Sequence, residues 1–284
     1  MKQSGSVPSA EPFFLKAGIG ERFCLYHPPR SNKECRGLFI YVHPFGDEMN
    51  KVRRMAAIQA RAFAAEGFAV LQMDLFGCGD SSGEFRDARW DIWKQDLFFA
   101  RSWMEKRIAG PVNLWGLRLG GLLALDFARN PENAVEKIIL WQPIISGEAF
   151  LTQFLRFRLA NEILVSDTAA EKATGTSAMR ALLQAGNTLE VAGYELAPEL
   201  AAAIDNLKAG ELVLAKGNVH WFEIVAGPGR PLGPAGARVV AEWQRNGVDL
   251  HVHLVSGLPF WATQEIAECP ELVKETVSVA AVRA

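Results

Sequence analysis

Three times between Gly37 and Asn130, a short unbroken apolar run gives way to a segment with apolar residues at helical spacing. The runs are GLFIYVHP (37–44), FAVLQMD (68–74) and VNLWG (112–116). Each ends in polar or glycine punctuation and reads as a buried strand. The segments between them read as helices: MAAIQARAFAAEGF, closing on a C-cap at Gly67; DIWKQDLFFARSWMEKR (91–107); and LGGLLALDFARN (119–130). KIIL (137–140) is a further strand. Regular β-α alternation of this kind predicts a mostly parallel sheet with helices on both faces. FFLKAG (13–18) and RFCLYH (22–27) add a hairpin turning at Gly18–Gly20.

After the sixth strand the alternation stops. From about Ser146 to Gly210 the chain is largely helical: AFLTQFLRFRLANEIL, TSAMRALLQAG and PELAAAIDNL, the first two separated by polar SDTAAEKATGTS. Alternation resumes with the strand WFEIVAG (221–227), the helix PAGARVVAEWQRNG (234–247) and the strand VDLHVHLVSG (248–257), and a last helix follows Pro270. The expected organisation is an eight-stranded core from 1–145 and 211–284, with a helical cap inserted at 146–210.

Composition narrows the function. At 284 residues, 49% hydrophobic and 22% charged, the chain has an ordinary soluble balance. A net charge of −2 gives no case for a nucleic-acid or polybasic membrane partner. No apolar run is long enough to span a bilayer, and the first fourteen residues lack a signal-peptide core, so a cytoplasmic location is expected. Cys24, Cys35, Cys78 and Cys269 form no C-x-x-C pair or metal spacing, which points to reduced structural thiols. No metal or cofactor is expected. Oligomeric state is open.

Three motifs then fall at the ends of successive predicted strands. VHPFGDE (42–48) sits where lipases and esterases carry an oxyanion turn; its donor would be the Phe45 N–H, since Pro44 removes only its own. MDLFGCGDSSG (73–83) resembles the D-x-x-G-x-G-x-S structural turn of α/β-hydrolases. WGLRLGG (115–121) has the strand, tight turn and helix of a nucleophile elbow, with Leu119 supplying the second oxyanion N–H. In this order they predict an α/β-hydrolase fold. HPFGDEMNKVRRM, GLRLGG, AGYELAPELAAAIDNL and SGLPFW further resemble the exosortase A system-associated hydrolases, second orthologue group, over nearly the whole chain. That resemblance implies a hydrolase family and a place beside bacterial exosortase and extracellular polysaccharide genes.

Hydrolysis in this fold needs a nucleophile, an acid and a histidine in chain order. The nucleophile position holds Arg118, which stays protonated and cannot attack. The acid loop, AGPGRPLGPAG (226–236), has no Asp or Glu. The alternative acid position after the sixth strand offers only Glu148, several residues late. The histidine loop, SGLPFWATQE (256–265), has no histidine. All three positions have lost their chemistry together. His43 is the one histidine near the site, in a role holding the oxyanion turn. His27 and His220 lie elsewhere. His251 and His253 share a strand face, a weak metal signal without further ligands. Cys78 is an alternative nucleophile with no basic partner.

Two roles are open to Arg118. At a helix N-terminus beside two N–H donors, its guanidinium fork suits a carboxylate or phosphate. Alternatively it pairs internally with Asp47, Glu48 or Asp74 and plugs the site. The apolar cap face of Phe150, Phe154 and Phe157, with Leu151 and Leu155, is expected over the site or the core. Two functions follow. One is a non-catalytic protein binding an acyl or anionic ligand or a partner enzyme. The other is an active esterase, thioesterase or acyl transferase with an unconventional site drawn from His43, Asp47, Glu48, Asp74 and Cys78.

Overall fold

Strand β3, Gly37–Val42, is buried at every residue, as a strand covered on both faces must be. A computed structural model of the chain describes residues 8–31, 35–165, 175–214 and 217–282, with no side-chain description for 158–165. Eight strands form one sheet: β1 (Glu11–Lys16), β2 (Glu21–His27), β3, β4 (Phe68–Met73), β5 (Val112–Leu117), β6 (Lys137–Trp141), β9 (Asn218–Val225) and β10 (Asp249–Ser256). Their order is β1-β2-β4-β3-β5-β6-β9-β10. The β1–β2 and β2–β4 pairs are antiparallel, and all the others are parallel. This is the α/β-hydrolase fold expected from the alternation.

Helices cover both faces. α1 (Asp47–Ala65) and α8 (Pro270–Ala281) pack on one, where Phe39, Phe63, Trp115, Trp141 and Phe222 form a core. α2 (Trp90–Arg107) and α3 (Leu119–Ala128) pack on the other, around Leu38, Ile40, Leu114 and Leu140. α3 is buried along its whole length. α7 (Pro234–Arg245) buries Trp243 beneath β9 and β10, its ring 5.9 Å from that of Trp221.

Between β6 and β9 lie α4 (Gly147–Val165), α5 (Thr176–Gln184), the two-stranded β7 (Leu189–Val191) and β8 (Tyr194–Leu196), and α6 (Pro198–Asp205). The spacer SDTAAEKATGTS lies mostly outside the described residues. The segment is thus not wholly helical. Ala192 and Gly193, at φ 50 and 84, turn the hairpin with both central residues left-handed, the geometry that matches strand twist. α1 begins well before the expected Met55. Its first two turns bury only Met49 and Val52 among charged neighbours, so the apolar period is thin there, while Asp47 and Glu48 favour the helix start. β9 starts at Asn218 rather than Trp221.

Candidate functional site

The elbow is where β5 must turn into α3 within one residue. Arg118 makes that turn at φ 55 and ψ −121, a sparsely populated positive-φ conformation that costs a non-glycine residue on the order of 1–3 kcal/mol. Its backbone is held from both sides: its N–H donates to the Trp141 carbonyl at 3.0 Å, and its carbonyl accepts from Gly121 N–H at 3.0 Å. The glycines serve packing. A Cβ on Gly120 would lie 2.2 Å from the Val42 carbonyl, and one on Gly116 2.7 Å from the Gly120 carbonyl. Only bare backbone lets α3 approach the oxyanion turn this closely.

The side chain of Arg118 is occupied. Nε lies 3.2 and 3.3 Å from the two Glu48 oxygens, and Nη2 lies 3.1 Å from Oε1. Its guanidinium also sits over the Trp261 ring, 5.2 Å from the centroid. The loop after β10, which carries the histidine in this fold, therefore delivers an aromatic cover for the arginine. Both partners are largely buried, at 14% and 22% side-chain exposure. Burial raises the Glu48 pKa above the ordinary carboxylate value, and the Arg118 charge draws it part of the way back. Of the three acids expected to reach Arg118, Glu48 is the one that does. Asp47 is exposed and pairs with Lys51 one helical turn on. Asp74 accepts from Arg53 and from Asp80 N–H, each at 3.2 Å.

The remaining candidates separate. His43 is buried, with both ring nitrogens in use. Nε2 accepts from Leu75 N–H at 3.1 Å, so Nδ1 carries the proton and donates to the Pro44 carbonyl at 2.7 Å. Burial lowers its pKa, consistent with a neutral ring that pins the oxyanion turn. Cys78 is buried, and desolvation, with Asp74 and Asp96 nearby, pushes its thiol far up, which is opposite to what a nucleophile needs. Glu148 is exposed in the first turn of α4 and does not join the group around Arg118. His220, His251 and His253 stack together, with His220 Nδ1 3.0 Å from His253 Nε2. Among the described residues no group of three or more His, Cys, Asp or Glu is placed to hold a metal ion.

The oxyanion turn itself is covered by rings. Phe45 meets Phe85, Phe150 and Phe154 edge-on at 5.0–5.5 Å. Phe150, Leu151, Phe154 and Leu155 of α4 are buried as expected, whereas Phe157 is 56% exposed and does not join the cover. The cavity touching Phe45 and Leu119 has a volume of about 10 Å³, room for a single water. The N–H groups of Phe45 and Leu119 make no hydrogen bond among the described residues.

Three features escaped the sequence: the Trp261 cover, the hairpin carrying Tyr194 against Phe85, and a polar node beside the elbow. In that node Gln142, at φ 44, donates to Glu223 Oε1 at 2.9 Å and accepts from Ile224 N–H at 2.7 Å. Glu223 also accepts from Trp221 Nε1 at 2.9 Å. Gln142 directly follows the sixth strand, where an acid can stand in this fold, and a non-glycine residue there with positive φ has no sequence signal.

Among solved structures, the chain is similar to Est1E from Butyrivibrio proteoclasticus, with bound ferulic acid, at 17% identity, TM-score 0.65, covering 94% of this chain and 96% of that one. It is also similar to a highly thermostable carboxyl esterase from Bacillus coagulans at 13% identity, TM-score 0.65, with 96% and 98% covered. At these identities the likeness shows the fold. No curated protein matches the sequence. Residues 33–192 match the family described as Serine aminopeptidase, S33. With more than half of its length in that match, the chain belongs to the serine aminopeptidase S33 family of α/β-hydrolases.

Proposed function

We propose that this chain is a non-hydrolytic member of its family, which binds an acyl or anionic ligand or a partner enzyme instead of cleaving an ester by Ser-His-Asp chemistry. The observation that carries the reading is the pairing of Arg118 with Glu48 under Trp261. A cation at the nucleophile position is neutralised by one acid and covered by one ring, and the histidine that could serve as base is bonded to the backbone on both sides. The ring cover over Phe45 supports the loss of ester cleavage, because it leaves no room for an acyl group at the oxyanion turn, so a ligand would bind away from that turn. The insertion at 146–210 acts here as a cap that closes the old site. A place in a bacterial exosortase and envelope-polysaccharide system belongs to this reading on the strength of the sequence resemblance. So does a cytoplasmic location, supported by the finding that no described helix is long and apolar enough to cross a membrane.

A second reading, an esterase, thioesterase or acyl transferase working without the usual triad, is favoured by the two unpaired oxyanion donors, Phe45 and Leu119. Exposure of the purified protein to a fluorophosphonate probe separates the two. The binding reading expects no covalent adduct by intact-mass measurement. A stoichiometric adduct mapped to a residue beside the elbow would overturn it.

A further inference from the structure

A second cavity lies on the other side of His43, between α1 and the β2–β4 edge of the sheet. Its volume is about 230 Å³, and a cavity of about 150 Å³ already admits benzene. Its walls are apolar: Phe23 and Leu25 from β2, Met49, Val52 and Ala56 from α1, and Met73 from β4. Phe14, 56% exposed on β1, meets Phe23 at 5.7 Å and extends that wall outward.

Five polar side chains line the cleft: Arg53 and Asp74 pair with each other, His43 is bonded to the backbone, Gln72 is bonded to His27, and Tyr41 is the fifth. Tyr41 lines it, yet its buried hydroxyl has no hydrogen-bond partner among the described residues. An orphaned buried hydroxyl is rare and costs roughly 1–3 kcal/mol, so it calls for a partner. Arg53, half-exposed at the mouth, spends a single N–H on Asp74 at 3.2 Å. Its Nε and Nη1 donors have no partner among the described residues. Next to Tyr41, the Trp115 Nε1–H is orphaned as well, its ring 4.3 Å from that of Tyr41. The strongest donor lining the cleft is the Arg53 guanidinium fork.

We propose that this cleft binds a small monocarboxylic acid with an apolar body, the tail lying between α1 and β2 and the carboxylate taken by Arg53 and the Tyr41 hydroxyl. The site goes beyond the reading given above, because it needs nothing from the elbow and holds whether or not Arg118 takes part in chemistry. Its size fits a phenyl ring with a short acid arm. Asp74, already bonded to Arg53 and to the Asp80 N–H, orients the guanidinium without filling its remaining donors.

The test is calorimetric titration of the full chain with 3-phenylpropanoate and with its matched alcohol, 3-phenylpropan-1-ol. The acid should bind with a Kd below about 1 mM and the alcohol about tenfold more weakly. Tyr41→Phe and Arg53→Gln should each weaken acid binding by about tenfold. Tyr41→Phe removes only an unpaired hydroxyl, so its unfolding midpoint should hold or rise, which keeps the test clear of misfolding. Ala56→Leu, which fills the cleft, should abolish binding. Arg118→Ala should leave the Kd unchanged. No binding by wild type up to about 10 mM, or equal binding by wild type and Tyr41→Phe, would overturn the proposal. So would binding lost in Arg118→Ala but kept in Tyr41→Phe, which would place the anion at the elbow.

Discussion

Arg118 and Glu48 stand seventy residues apart in the chain and meet as a forked pair, with three nitrogen–oxygen distances of 3.1–3.3 Å. The arginine sits at the tight turn between β5 and α3 and the glutamate in the first turn of α1. The contact therefore ties β5 and α3 to the helix that follows the oxyanion turn.

Breaking that pair leaves a largely buried cation without its anion. Glu48→Gln should cost about 1–3 kcal/mol, less than a fully buried pair because both side chains keep some exposure. Urea unfolding followed by tryptophan fluorescence reads this as a lower midpoint at unchanged slope. An unchanged midpoint would mean that the pair contributes nothing.

Restoring a hydroxyl should not restore chemistry. Arg118→Ser puts an oxygen at the elbow, but His43 is bonded to Leu75 and Pro44, and no other described histidine adjoins the turn. Turnover of p-nitrophenyl acetate by this variant should match the protein-free rate. A gain of about a hundredfold or more would reveal a base that this account has missed.

A more deeply buried ion pair lies elsewhere. Asp96 accepts from Arg22 Nε and from Phe76 N–H, each at 2.8 Å, at the foot of the turn after β4. Asp96→Ala strands a buried guanidinium and should cost about 3–5 kcal/mol, seen as loss of soluble protein or a sharply lowered melting temperature. A variant as stable as wild type would contradict it.

Acid should destabilise the fold through buried histidines. Burial, then Lys137 and the two neighbouring histidines, push the His220 pKa down to about 3 from its ordinary 6.5. Unfolded, His220 takes up a proton near 6.5; folded, it does not until about 3. Stability is therefore full above 6.5 and falls below it, by up to about 1.4 kcal/mol per pH unit for this one proton. His27, His43 and His253 shift the same way and add to the slope. His220→Phe should flatten the fall between pH 6 and about 4 while changing little at pH 8. A pH profile identical to wild type would rule out His220 as a source.

The fold was legible because the central strands β3, β4 and β5 are largely apolar runs and the turns after β4 and β5 carry glycines at motif spacing. GLFIYV, FAVLQM and VNLWGL are strands by composition alone. Local pattern fails where tertiary packing decides. The β7–β8 hairpin turns on Ala192-Gly193 rather than Asn-Gly, so its left-handed residues give no warning. The start of α1 is polar on most of its surface and is stabilised by Glu48 meeting Arg118 from the turn between β5 and α3. At the site, the arginine at the elbow and the lack of an acid in 226–236 and of a histidine in 256–265 stand in the sequence itself, and the proposal of a lost triad rests on them. Which acid pairs with Arg118, and that Trp261 covers it, depends on loops brought together only by the folded sheet. The unpartnered Tyr41 hydroxyl is likewise invisible in sequence, where Tyr41 is simply one more apolar strand residue.

Initial-rate hydrolysis of a panel of acyl esters and acyl thioesters by the purified wild-type chain, run beside Arg118→Ala, tests the central claim most directly. Neither protein should turn over any substrate above background. Wild-type turnover that disappears in Arg118→Ala would contradict it and make the arginine part of a working active site.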